Sequence, residues 1–133
     1  MELGVEIRWP ENALLDEAGW PITPKAHLGI VQEARTQVDL PLIITSVGIA
    51  DSTGVVQQRF LEESLHSLET ELTPGSRLEG AFFRSLFPQP NAEGQPQAGL
   101  ISCRAPLAPV DWGCRETAAF EFLKETYRRR LNP

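Results

Sequence analysis

The chain has 133 residues, 41% apolar and 23% charged, with a formal net charge of −6. That length holds one hydrophobic core and is short for two, so a single domain over residues 1–133 is expected, and the apolar content excludes a disordered chain. The acidic balance, with Arg128-Arg129-Arg130 as the one basic run, argues against a nucleic-acid partner, which would need a basic surface to neutralise phosphates.

The first residues, Met1 to Glu6, hold no basic segment followed by an apolar core, so no secretory leader is expected. The longest nearly apolar run, Leu40 to Ala50, is too short to cross a bilayer, and no membrane partner is expected. Cys103 and Cys114 are too few for a disulfide scaffold. Read as free thiols, they point to a reducing, cytoplasmic setting.

In chain order, Leu3, Val5, Ile7 and Trp9 alternate with polar residues or glycine, the period of a half-buried strand that Pro10 ends. Residues 10–23 carry turn formers. Thr23-Pro24 is a helix-start signal, and Leu28, Val31, Ala34 and Val38 follow at spacings of three and four, predicting a helix over 24–37. Pro41 to Ala50 reads as a strand apolar on both faces. Asp51-Ser52-Thr53-Gly54 reads as a hairpin turn into a return strand, Val55 to Arg59. Leu61, Leu65, Leu68 and Leu72 mark an amphipathic helix whose wet faces hold Glu62, Glu63, Glu69 and Glu71. Strands are predicted at 77–87 and 97–104, separated by a proline-rich loop, and a last helix from about Cys114 to Leu131. This order predicts an α+β fold: a ferredoxin-like two-layer βαββαβ sandwich with an extra strand and a C-terminal helix.

Candidate chemistry is sparse. His27 and His66 are followed at i+4 by Val31 and Thr70, so neither forms a helical metal-ligand pair, and no metal site or cofactor is expected. Arg104 and Arg115 flank the cysteines but cannot act as bases. Ser46, Ser52 and Ser64 lack the glycine-framed turn of a nucleophilic serine. No catalytic set assembles, so the sequence points away from an enzyme.

The apolar residues of 78–87 are more informative. Alternation puts Leu78, Phe82 and Leu86 on one face and Phe83 and Phe87 on the other. Helices cover only one face of a two-layer fold. The second face would meet a partner, or be covered by the last helix or the loop around Leu14 and Trp20. With Arg84 and Trp112 as further anchors, Phe82, Phe83 and Phe87 are the expected interface. The function read from this is a non-catalytic binding or accessory module that docks a protein partner or a second copy of itself.

A second reading starts from Val5-Glu6-Ile7-Arg8-Trp9-Pro10-Glu11-Asn12, Lys25 to Glu33 and Val47-Gly48-Ile49. These segments resemble the catalytic domain of the biotin and lipoate protein ligases. The resemblance implies a subunit or remnant of such an enzyme, with Trp9, Asn12 and Lys25 at an acyl-adenylate site. It also implies a strand at 25–33, where the periodicity implies a helix.

Overall fold

The computed structural model describes residues 8–72, 75–87, 99–102 and 114–131. Its elements run α1 (Ala26–Gln37), β1 (Leu42–Val47), α2 (Val55–Thr70), β2 (Leu78–Phe83), β3 (Ile101–Ser102), β4 (Arg115–Glu116) and α3 (Ala118–Leu131). This is a small α+β arrangement. Among the described residues no helix is long and apolar enough to cross a membrane.

The helix over 24–37 forms from Ala26. Thr23 contributes its carbonyl, which accepts from Ala26 N–H at 3.0 Å, while Lys25 holds the N-cap position without a side-chain cap. Leu28 and Val31 are its buried residues. A helix here occupies the residues that the ligase resemblance requires as a strand.

The largest departure from expectation lies at 51–59. These residues are the capping turn and first turns of α2, not a hairpin and return strand. Val55-Val56 suggested a strand, but the buried stripe Gln57, Phe60, Leu61, Ser64, Ser67 and Leu68 keeps helical spacing from its first member. Asp51 sets the start: its Oδ2 accepts from Gln57 N–H at 2.9 Å, and its Oδ1 from Thr53 N–H and hydroxyl at 3.0 and 2.7 Å. Those bonds satisfy donors that a helix N-terminus leaves open.

Because α2 replaces the return strand, β1 and β2 are joined through a helix and pair in parallel. β3 and β4 form a separate antiparallel pair. The single antiparallel sheet of a ferredoxin-like sandwich is not formed among the described residues. The expected strand at 3–9 lies outside them up to Ile7, and Arg8 and Trp9 are in no strand.

Two register irregularities shape the parallel pair. Leu42 faces Leu78 but Ile43 faces Gly80; Ile44 faces Ala81 but Val47 faces Phe83. Each inserts one extra residue, as a bulge does, and so reverses which face the following side chains occupy. Leu78 therefore packs with Leu28, Val31 and Leu68, while Ala81 and Phe83 pack against Val47, Phe60, Leu61, Leu100, Ala119 and Leu123. Phe82 points away and is 64% exposed, beside Ile43 at 54%.

α3 closes the larger core cluster. Thr117 starts it, donating its hydroxyl to the Leu100 carbonyl at 2.6 Å and accepting from Phe120 N–H at 3.3 Å. Arg130 pairs with Glu69 of α2. Cys114 is disulfide-bonded rather than a free thiol. This corrects the sequence reading and removes the thiol-based argument for a reducing compartment.

Candidate functional site

In open parallel sheets the connections after the strands' carboxyl ends splay apart, and ligands bind there. The same edge of this molecule carries a cleft of about 340 Å³. It lies where the chain leaves β1, at Gly48, Ile49 and Ala50, and β2, at Arg84 and Ser85. Asp16, Trp20, His27 and Ser46 supply further polar and aromatic lining.

Each lining residue has a local cause. The extra residue between Ile44 and Val47 leaves Thr45 and Ser46 both exposed and turns Ser46 toward the rim. Gly48 lets the two strand ends close up. A methyl group there would collide with the Arg84 carbonyl oxygen and stand 3.6 Å from Gln57 Nε2. Arg84 N–H donates to the Val47 carbonyl at 3.0 Å and fixes the same contact.

Asp16 organises the opposite wall. Its Oδ1 accepts from Ala18 N–H and Trp20 N–H, both at 2.9 Å, and its Oδ2 from Ala50 N–H at 3.0 Å. Gly19, at φ 80°, makes the turn that brings Trp20 back under the carboxylate. Glu17 supports the clamp: its N–H donates to the Ala50 carbonyl at 3.0 Å, and its carboxylate accepts from Ser52 hydroxyl at 2.7 Å. Trp20 is thereby fixed with 58% of its surface exposed, its ring 6.0 Å from that of Trp9.

His27, on the first turn of α1, stands edge-on to Phe60 with ring centroids 5.9 Å apart. Its Nδ1 is buried with no hydrogen-bond partner among the described residues. The same holds for both amide atoms of Gln57, whose side chain is fully buried behind Gly48. Buried polar atoms without partners are costly, and of these two residues His27 is on the cleft lining.

The expected site residues do not gather here as a set. Phe82, Arg84 and Phe87 are exposed, whereas Phe83 is partly buried against the core. Trp112 lies outside the described residues. Trp9 reaches the cleft only through Trp20. Asn12 sits in an exposed turn, and Lys25 points to Glu71, 2.7 Å away. The cleft residues missed in sequence were Asp16, Trp20, His27, Ser46 and Ser85. The one local signal was Asp16 ahead of Gly19-Trp20-Pro21, an acidic residue placed to bond its own turn.

No protein-family model and no curated protein sequence matches the chain. Solved structures do. A β-glucosidase from Exiguobacterium marinum superposes with a TM-score of 0.78 at 14% identity, covering 93% of this chain and 30% of that one. The β-glycosidase BGL167 gives 0.76 at 20% identity, over 92% and 29%. The GH1 β-glucosidase from Exiguobacterium antarcticum B7 gives 0.71 at 16% identity, over 93% and 30%. At such identities the likeness is one of fold. The chain spans about 30% of the length of these enzymes.

Proposed function

We propose that this chain is a non-catalytic saccharide-binding module. The observation that carries the reading is the cleft at the strands' carboxyl ends, with an exposed Trp20 and a single carboxylate, Asp16, among its described lining residues. An exposed indole offers the flat apolar surface on which the C–H face of a sugar ring stacks, and the polar atoms around it suit hydroxyl groups. The fold likeness to β-glucosidases supports a β-glucoside as the ligand type.

Most glycosidases flank the scissile bond with two carboxyl groups, one to protonate the leaving group and one to attack or to activate water. Asp16 is the one carboxylate among the described lining residues, and its oxygens are held by three backbone N–H groups. It serves as a clamp. Binding without hydrolysis is the chemistry this arrangement supports.

Tryptophan fluorescence titrated with neutral and acidic β-glucosides, beside a hydrolysis assay on a nitrophenyl β-glucoside, tests the reading. Saturable binding that Trp20→Ala abolishes, with no turnover, is expected. Turnover would overturn the non-catalytic assignment, and a flat titration with every sugar would overturn the saccharide.

A second reading is favoured by the outward face of the parallel pair, where Ile43 and Phe82 stand exposed. Parallel strands are ordinarily covered on both faces. Docking of a protein partner or a second copy across this face is compatible with ligand binding at the strand ends.

A further inference from the structure

The wall of the cleft that follows β2 is held from behind. Leu100 N–H donates to the Ser85 carbonyl at 2.7 Å, and Ile101 N–H to the Leu86 carbonyl at 2.8 Å. Ser85 lines the cleft beside Arg84, whose carbonyl oxygen lies tight against Gly48. The donors belong to the start of β3 and the residue before it. β3 and β4 pair over two residues each, Ile101 with Glu116 and Ser102 with Arg115, a ladder too short to persist alone in water. The Thr117 hydroxyl ties the same backbone to the start of α3, donating to the Leu100 carbonyl at 2.6 Å.

At the open end of this strap, next in sequence to Arg115, stands Cys114, exposed and disulfide-bonded. Cys103 is the other cysteine of the chain and follows Ser102 directly. One step further along the β3–β4 register, position 114 falls opposite position 103. Opposed residues of an antiparallel pair lie about 4.5–5.5 Å apart at Cα, inside the span of about 4.4–6.8 Å that a disulfide bridges. A covalent closure counts for most where the ladder it closes contributes least, and an exposed disulfide is open to attack by a thiolate.

From this placement, and as a regulation of the site read above, we propose that a Cys103–Cys114 disulfide is a redox switch on the cleft. Oxidised, it closes the strap that holds the Ser85 wall. A dithiol reductant opens it. One reductant thiolate attacks a sulfur of the bond, which breaks to a mixed disulfide and a cysteine thiolate. The second reductant thiol then displaces the other cysteine. Two electrons pass to the chain, which ends with two thiols while the reductant ends as a disulfide. The strap then opens more often, the bonds to Ser85 and Leu86 are released, and the wall loosens.

The test compares the full chain before and after dithiothreitol, with the Cys103→Ser/Cys114→Ser variant beside it. Thiol titration should find no free thiol before reduction and two after. Amide hydrogen exchange at Leu100 and Ile101 should rise about tenfold or more on reduction, within the range that loss of a loop closure gives, while Leu28 and Val31 of α1 stay protected. The double variant should exchange like the reduced chain and ignore dithiothreitol, and reoxidation should restore protection in the unaltered chain. Affinity for methyl β-glucoside, read by tryptophan fluorescence, should fall with the protection. Two free thiols in the unreduced chain, unchanged exchange at Leu100 and Ile101, or equal loss of protection in α1 would each overturn the switch. Faster exchange with unchanged sugar affinity would overturn its action on the cleft and leave the saccharide reading standing. Absence of sugar binding in both states would overturn the saccharide reading, with the switch judged by exchange alone.

Discussion

Burial of Asp51 disfavours its charge, yet the hydrogen bonds from Gln57 N–H, the Thr53 hydroxyl and N–H, and Val56 N–H together outweigh that effect. They hold the carboxyl below its ordinary value of 3.8. A carboxyl depressed in the folded state adds stability that is fully present above its unfolded value and is lost as pH falls through the lower folded value. Urea unfolding should therefore show an Asp51 contribution that is constant at neutral pH and fades below about pH 4. Asp51→Asn should cost about 1 kcal/mol at pH 7, as loss of a helix cap does, and should narrow the gap to the unaltered chain in acid. A gap that widens in acid would contradict this account of the cap. At Gly48, the Arg84 carbonyl leaves no room for a methyl group, so Gly48→Ala should cost about 1–3 kcal/mol in a thermal or urea melt, the usual range for overpacking. Neither residue's role was legible in sequence. Asp51 looked like a hairpin turn because a turn and an N-terminal cap use the same residue types. Gly48 matters through its contact with Arg84, just past the end of β2, which pattern reading does not see.

The helices were legible as elements because each carries a stripe with helical period: Leu28 and Val31 in α1, Leu61 and Leu68 in α2, Ala119 and Leu123 in α3. The start of α2 was not, because two β-branched valines and a turn outweighed a stripe whose first member is a glutamine. Misplacing that boundary changed the topology, since a hairpin makes neighbours antiparallel and a helical crossover makes them parallel. The faces of β2 were misread for a different reason. Strict alternation groups Leu78 with Phe82, but the bulge between them sends Leu78 to the helices and Phe82 outward. The two phenylalanines should therefore answer differently to the same substitution. Phe83→Asp buries a charge against Val47 and Leu61 and should cost several kcal/mol or unfold the chain. Phe82→Asp should leave the melting temperature nearly unchanged and, where the face docks a second copy, lower the mass measured by light scattering. Equal destabilisation by both would mean that the register is wrong.

At the scale of the molecule, the parallel pair leaves Ile43 and Phe82 exposed among the described residues, and the likeness to β-glucosidases extends over 30% of their length. The coarse class, a small α+β chain, was readable from composition and from alternating periods. The cleft was not, because its lining comes from the 16–27 segment, the end of β1 and the end of β2, and each residue taken singly has an ordinary structural explanation. Only the fold makes Asp16, Trp20, His27, Ser46 and Arg84 neighbours. Their shared position at the strands' carboxyl ends is what makes five unremarkable side chains a candidate site.

The central claim, that ligand enters at this edge, is tested most directly by mapping backbone amide resonances of the labelled chain while a β-glucoside or its acidic counterpart is added. Saturable shifts concentrated at residues 16–20, 46–50 and 84–85, with α3 and the outward face of β1 and β2 unmoved, are the result the account predicts. Shifts centred on Phe82 and Ile43, or no shifts at saturating sugar, would contradict it.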